Sequence, residues 1–443
     1  MVYILLLASL AVGSSVLAAP NYAVPDAQPE NAVGIDPTPV GASFEFFMWP
    51  SYMTNISLTL PCIDHFNKLY NRKMPIRIGG TTQDRATYDP AFRGYVSYSV
   101  DDPLEAPMSL TYGPKFFDLI MYWKYWQYPV AEAPWNETQE GGNAADWAQD
   151  FINHWKSPLP ILAGGGYAIP FEIEPNWPNL PYLIETSYNK TVKDATKVYN
   201  GHLYAFSNAS AEDLGPEMKH QRVVQDLSLL PISGAKSVGR SYILGETGFH
   251  GLDYEMDSTF GSAIQTTDKT LRALTLGIQR LFYHQGTINQ AFFNWWWSDH
   301  VNAPFYGAYF GALAVAGGDS IVASDNGTDP YAQYIIYKNG KAFKAVMINT
   351  DYYSGSGKRS ETKFTLSGLR TNLVQALRMT GPSSETTVPI IQTKSSPQPS
   401  IGGQSFSNKN CKLSGKQNSE KFSVKKGKLE VTLKASEALI VYL

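Results

Sequence analysis

The sequence predicts an α/β fold: a barrel of the (β/α)8 type, incomplete by two strands, followed by an antiparallel β-sandwich. Three observations predict it. Between residues 41 and 318, β-like runs alternate with amphipathic stretches, the signature of βα units around a mainly parallel sheet. Six such strands can be counted, whereas closing the ring takes eight. From 319 to 443 the runs become short and alternating, with Gly, Ser and Asn between them, which reads as a sandwich. The chain has 443 residues, 43% hydrophobic and 13% aromatic, so it can bury a large core, and a disordered polymer is excluded.

Residues 1–19 read as a signal peptide. The run YILLLASLAVGSSVLAA (3–19) ends in small residues, Val16 and Ala18 fit the cleavage pattern, and Pro20 follows. No Lys or Arg precedes the run, and the alternative is a buried N-terminal strand. The run is short for a membrane span and no other 18-residue apolar stretch exists, so no membrane anchor is expected. Residues 20–40 are Pro-rich and read as an arm or linker, with a strand at the end. Barrel strands are predicted at 42–49, 75–80, 160–166, 202–207, 241–246 and 279–285. Helices are predicted over 53–71, 144–156, 217–229 and 267–280; in the first, Ile56, Leu60, Ile63 and Phe66 recur at helical spacing. In the C-terminal part, YAQYIIYKNGKAFKAVMINTDYY predicts a hairpin turning at Lys338-Asn339-Gly340, with type I′ character. Lys409, Lys412, Lys416, Lys421, Lys425, Lys426 and Lys428 give this end a basic face, which reads as lysine-protected strand edges.

A formal charge of −3 supplies no global attraction to nucleic acid or to an anionic membrane, and neither partner is expected. Five N-x-S/T sites, at Asn55, Asn136, Asn189, Asn208 and Asn326, agree with a secreted, extracellular glycoprotein. Cys62 and Cys411 could bridge in an oxidising compartment or stay as buried thiols; 349 positions separate them and sequence does not decide. The seven His show no HExxH and there is no CxxC, so no metal is expected. The G-x-S-x-G elbow, the Walker loop and the dinucleotide fingerprint are also missing, and no cofactor is expected.

An α/β barrel carries its chemistry at the C-terminal ends of its strands. The most suggestive end is Ser241-Tyr-Ile-Leu-Gly-Glu246-Thr-Gly248, where a β-rich run stops at Gly and delivers a Glu. That carboxylate is a nucleophile, a general base or a hydrogen-bonded strand terminator. Glu45 sits isolated among aromatics in Ser43-Phe-Glu-Phe-Phe47 and must face the barrel mouth or a partner. The second strand ends in Arg77-Ile-Gly-Gly80-Thr-Thr-Gln83-Asp84. Tyr204, His284 and Gln285 close two further strands, and Tyr306 with the Trp295-Trp296-Trp297 run adds aromatic faces. Taken singly each reads as structural; on one rim they would form a polar, aromatic pocket suited to a sugar ring. The plainer reading of the Trp run is core packing.

The motifs SFEFFMWPSY, PIRIGGTTQDRATYDP, FFDL, GHLYAFSN, YILGETG, HQGT and APFYG, in that order, resemble the fungal members of glycoside hydrolase family 79, over roughly residues 35–443. That family contains β-glucuronidases, 4-O-methyl-glucuronidases and heparanases. The resemblance implies a (β/α)8 barrel with a β-sandwich, a secreted exo-glycosidase and retention of configuration. It implies Glu246 as nucleophile, with Glu45, Gln83, Asp84, Tyr204, His284, Gln285 and Tyr306 lining a sugar pocket. A retaining mechanism needs a second carboxyl group, about 5–5.5 Å from the first, that protonates the leaving oxygen.

The sequence departs from the family there. The family's acid/base is the Glu of an Asn-Glu-Pro at the end of the fourth strand, and this chain has no Asn-Glu-Pro. FFDLI (116–120) runs almost directly into MYWKYWQYPVAEAPWNE (121–137), which leaves no room for strands three and four. One Glu-Pro remains, at Glu174-Pro175, on the loop of the fifth strand, so Glu174 is a substitute acid/base candidate. The loop after Glu246 also differs: Tyr254 stands at a shifted place, and Tyr306 matches the uronate-binding Tyr better. The resemblance implies a β-glucuronidase-like hydrolase that removes terminal glucuronic or 4-O-methylglucuronic acid from glycans. The alternative is a catalytically impaired relative or truncated isoform that at most binds carbohydrate. A lectin-like sandwich module is a third reading.

Overall fold

The computed structural model describes residues 20–443 apart from 120–135, 155–161, 170–174, 206–213, 252, 290–294 and 394. Six strands form one sheet: β1 (Val40–Glu45), β2 (Ile76–Gly79), β3 (Leu162–Ile169), β4 (Thr196–Leu203), β5 (Ser241–Thr247) and β6 (Ile278–Gln285). Their spatial order is β2-β1-β6-β5-β4-β3, and every neighbouring pair is parallel. This is the order met on going round an α/β barrel. Among the described residues, no strand joins β2 to β3, so the ring is open where the third and fourth strands belong.

The strands were legible because both faces are covered. All six residues of β1 are buried, and a parallel strand under such cover reads as a near-continuous apolar run. Its end is less legible. The strand predicted over 42–49 stops at Glu45, because a helix begins at Trp49 with Pro50 in its first turn. The strand predicted at 202–207 lies over 196–203, its start masked by Lys197 and Asn200.

The longer helices are α1 (Thr59–Tyr70), α2 (Glu137–His154), α3 (His220–Ser228), α4 (Phe260–Thr275) and α5 (Ala303–Val315). The helix predicted over 267–280 is α4, displaced toward the N-terminus; Gly277, at φ +87°, turns the chain into β6. α5 is apolar on every side, as a helix enclosed all round must be. A Cβ on Gly307 would stand 2.1 Å from the Ala263 carbonyl oxygen, so glycine there lets α5 cross α4 closely.

The C-terminal part contains β7 (Ser320–Ala323), β8 (Tyr331–Lys338), β9 (Lys341–Asn349), β10 (Glu361–Ser367), β11 (Leu373–Thr380), β12 (Lys428–Lys434) and β13 (Glu437–Tyr442). The larger antiparallel sheet runs β11-β13-β9-β8-β7, and β10 and β12 belong to a smaller one. The β8–β9 turn has positive φ at Asn339 (51°) and Gly340 (75°), as type I′ requires. β8 serves two cores: Tyr334 and Ile336 face the barrel side, and Ile335 and Tyr337 face the smaller sheet. Segment 20–40 is not a loose arm. Asn21–Ala23 pairs with β10 and Val33–Gly34 with β7, so this segment adds one strand to each sheet.

Two long-range links fasten the parts. Cys62 of α1 is disulfide-bonded to Cys411, which decides between the two readings of the cysteines. His220 of α3 lies between carboxylates, Nδ1 at 2.7 Å from Asp268 and Nε2 at 2.8 Å from Asp325, and the Tyr334 hydroxyl donates to Asp268 at 2.5 Å. Burial opposes a charge on His220, but the two aspartates outweigh it and push its pKa up to about 10.

Candidate active site

The site grows from strand register. In a parallel sheet, residues in register on adjacent strands stand side by side on the same face. Ser43 of β1 is in register with Arg77 of β2 and with His284 of β6, and Glu246 of β5 with His202 of β4. Five neighbouring strands therefore bring five polar side chains together.

A bulge aims the central carboxylate. The β5 register slips between Leu244 and Glu246, at Gly245, whose N–H donates to the Asn200 side chain at 3.0 Å. A Cβ on Gly245 would lie 2.0 Å from that Asn200 oxygen, so the close approach requires glycine. Bulges of this kind turn the next side chain out of the regular alternation. Glu246 keeps 13% of its side chain exposed and Arg77 5%. Arg77 Nη1 donates to Glu246 Oε2 at 2.6 Å and to Ser43 Oγ at 2.6 Å. The Tyr204 hydroxyl donates to Glu246 Oε1 at 2.5 Å. His284 Nδ1 stands 3.7 Å and His202 Nδ1 4.0 Å from Glu246 Oε2.

These neighbours decide the charge. Burial pushes the Glu246 carboxyl up, but the Arg77 guanidinium and the Tyr204 hydrogen bond hold it well below the usual carboxylate range. Burial lowers His202 to about 3, against the pull of Glu246, so at neutral pH it is an uncharged neighbour. The Arg77 guanidinium carries the positive charge at every working pH. Glu246 is thus an ionised, oriented and reachable carboxylate.

A second carboxylate stands beside it. Glu45 ends β1 and accepts from Thr82 N at 2.9 Å, from Thr82 Oγ1 at 2.5 Å and, through Oε2, from His284 Nε2 at 3.1 Å. His284 Nδ1 lies 3.2 Å from Ser43 Oγ. With Arg77 donating to Ser43, the Ser43 hydroxyl links Arg77 to the His284 ring. Gly80, at φ +93°, makes this possible: a Cβ there would fall 2.0 Å from Glu45 Oε2.

Comparisons with known proteins agree with this geometry. Residues 333–440 match the Glycosyl hydrolase family 79 C-terminal beta domain. A β-glucuronidase of Aspergillus niger is 24% identical over 388 positions, covering 70% of this chain and 71% of that protein. A crystal structure of a 4-O-α-L-rhamnosyl-β-D-glucuronidase from Fusarium oxysporum 12S has a TM-score of 0.85 and 28% identity, over 96% of this chain and 100% of that one. The chain is thus similar to β-glucuronidases, and its C-terminal part matches the β domain of glycoside hydrolase family 79. A family 44 endoglucanase of Clostridium thermocellum, with a TM-score of 0.52 and 11% identity over 95% of this chain and 98% of that one, shares the fold alone.

The alignment with the Aspergillus relative also carries the departure. Since 70% of 443 residues is about 310, about 78 of the 388 aligned positions have no residue in this chain. A βαβ unit takes roughly 30 residues or more. Two βα units would fill a gap of that size.

Of the residues expected in the sugar pocket, Glu45, Tyr204, His284 and Glu246 come together. Gln83 and Asp84 lie half-buried on the single turn Thr81–Arg85 that follows β2. Two expectations are corrected. Tyr306 is fully buried in α5, and its hydroxyl accepts from Phe406 N at 2.8 Å, so it fastens the C-terminal part rather than lining a sugar pocket. Gln285 is also fully buried; its side chain accepts from Trp295 N at 2.7 Å and donates to the His284 carbonyl at 3.0 Å, bracing the Trp loop. Trp295 and Trp296 are core residues, as the plainer reading held, and Trp297 is partly exposed beside Tyr254, with ring centroids 6.3 Å apart. Glu174 falls outside the described residues.

Ser43, Arg77 and His202 belong to the site as well, beyond the residues expected from sequence. A charged residue inside the apolar run PIRIGG and a His inside GHLYAF were available signals. Among the described residues, no group of three or more His, Cys, Asp and Glu is placed to hold a metal ion, and no helix is long and apolar enough to cross a membrane.

Proposed function

We propose that this chain is a secreted, retaining, β-glucuronidase-like exo-hydrolase with Glu246 as its nucleophile. The observation that carries the reading is Glu246 itself: a carboxylate at the C-terminal end of β5, partly open, held ionised and gripped by Arg77 and Tyr204. A Glu246 oxygen attacks the anomeric carbon while the bond to the leaving oxygen breaks, giving a glycosyl ester; water then displaces the ester and restores the configuration. Arg77 and Tyr204 hold the attacking group. Glu45 and His284, with Gln83 and Asp84 on the adjoining turn, meet the sugar hydroxyls. The substrate class is a glycan capped by terminal glucuronic or 4-O-methylglucuronic acid, in keeping with the glucuronidases the chain is similar to. The apolar start and the N-x-S/T sites support secretion as a glycoprotein. Asn55, Asn189 and Asn326 are exposed and Asn136 is half-buried; Asn208 lies outside the described residues.

A second reading is favoured by one specific observation. The sequence has no Asn-Glu-Pro, and the gap against the Aspergillus enzyme has the size of two βα units. A chain without that acid is a catalytically impaired relative that binds carbohydrate and cleaves only substrates needing no proton. General-acid assistance is typically worth about 10²–10⁴-fold. A 2,4-dinitrophenyl glucuronide leaves as a stabilised phenolate and bypasses it. The test compares that substrate with a glucuronide-capped oligosaccharide. Turnover of both supports the full enzyme, with Glu174 or another carboxyl as acid. Turnover of the first alone supports the impaired relative. Turnover of neither, with Glu246→Gln indistinguishable from wild type, removes the hydrolase reading.

A further inference from the structure

Behind the loop that follows Glu246 lies a buried group of charges that the mechanism above does not use. Lys269, in the middle of α4, is completely buried, and its Nζ donates to the carbonyl oxygen of Gly248, two residues past Glu246. Asp257 is 2% exposed. Its two carboxylate oxygens accept from His250 N at 2.8 Å and from Gly251 N at 3.0 Å. Between these points, the Phe249 carbonyl accepts from Ala205 N at 2.7 Å. Four successive residues, 248 to 251, thus each have a backbone group held by the protein interior. Loops carry such polar groups at the surface by default, where water satisfies them. Using two buried ionisable groups for the task is costly, because both must be taken out of water, and burial pushes the Asp257 carboxyl well above the usual carboxylate range.

We propose that Lys269 and Asp257 are positioning residues, which fix the backbone of Gly248–Gly251 so that Glu246 and the sugar above it keep their attack geometry. This inference rests on the hydrolase reading above. Misplacement of reacting groups by about 1 Å costs on the order of 10²-fold in rate, so a rigid mount for this loop has catalytic value beyond fold stability. The charged groups facing Lys269 are Asp226 and Arg222 of α3, Asp257 of the turn Tyr254–Asp257, and Glu217 of the turn Leu214–Glu217. Burial lowers Lys269 to about 8, with Asp226, Asp257 and Glu217 resisting and Arg222 assisting. The mount therefore loosens when the ammonium loses its proton.

The test uses the full chain, 2,4-dinitrophenyl glucuronide, and pH from 6.5 to 9.5. This leaving group needs no proton, so a general acid contributes no alkaline limb. Lys269→Met is expected to lower kcat about 10–100-fold with KM within threefold. The wild type is expected to lose rate above pH about 8, and Lys269→Arg, which keeps its charge, to hold its rate through that range. Circular dichroism establishes that the variants are folded; should Lys269→Met fail to fold, the alkaline limb of the wild type carries the test alone. A folded Lys269→Met with wild-type kcat, or a wild type with flat rates from pH 6.5 to 9.5, overturns the positioning role while the hydrolase reading stands. A wild type without turnover overturns the hydrolase reading, and the positioning role with it.

Discussion

Replacing Arg77 with Met removes the permanent cation from the side of Glu246. The contact is a 2.6 Å charge-assisted hydrogen bond between side chains exposed by 5% and 13%. Such a bond is worth about 1.5–3 kcal/mol, and each pKa unit corresponds to about 1.36 kcal/mol. The Glu246 pKa should therefore rise by about one to two units, and with it the acidic limb of kcat/KM. The assay is the pH–rate profile on a dinitrophenyl glucuronide. Stability moves too, with a sign that follows from linkage. Glu246 is depressed in the folded state, so its contribution is present above its unfolded value and lost as pH falls toward its folded one. Arg77→Met shrinks that contribution and strands a buried carboxylate, a change that typically costs about 3–5 kcal/mol. An acidic limb at the wild-type position, together with an unchanged denaturation midpoint, would refute the reasoning.

Three further outcomes are expected. Tyr204→Phe deletes the 2.5 Å bond to Glu246 Oε1 and should lower kcat roughly 10–100-fold, by the same charge-assisted range, read by steady-state kinetics. His202, lowered to about 3 from an ordinary 6.5, makes the unfolded chain bind more protons between those values, so stability falls as pH drops. The loss from this residue should reach about 2 kcal/mol at pH about 5, and His202→Gln should flatten the pH dependence of urea midpoints there. The Cys62–Cys411 bond closes a loop of 349 positions, and Cys62→Ala with Cys411→Ala should cost about 2–4 kcal/mol, seen as a lower Tm without a change in KM.

Much of the fold could be read before the structure, for a physical reason. Strands covered on both faces spell continuous apolar runs, so six of them could be counted, and six are what the described residues form. Glu246 stood out because Gly245 interrupts such a run; the structure makes that glycine a bulge held by Asn200. Ser43, Arg77 and His202 escaped attention because their meeting depends on register between strands distant in sequence. Tyr306 was misread from a short matching motif. Its hydroxyl partner, Phe406, lies 100 positions away, and only the packed structure shows α5 sealed between two parts. The cysteine pairing was undecidable for the same reason. The beginning of segment 20–40 gave no alternation to read, since strands of two or three residues, such as Val33–Gly34 and Asn21–Ala23, are too short to show it.

The central claim is that the side chain of residue 246 attacks a sugar. Incubating the chain with 2,4-dinitrophenyl 2-deoxy-2-fluoro-glucuronide traps the glycosyl ester, because the fluorine slows its hydrolysis. Peptide mapping by mass spectrometry should then find one fluoroglucuronyl group on Glu246. A modification on any other residue, or an unmodified protein under conditions that trap a known retaining glucuronidase, would contradict the account.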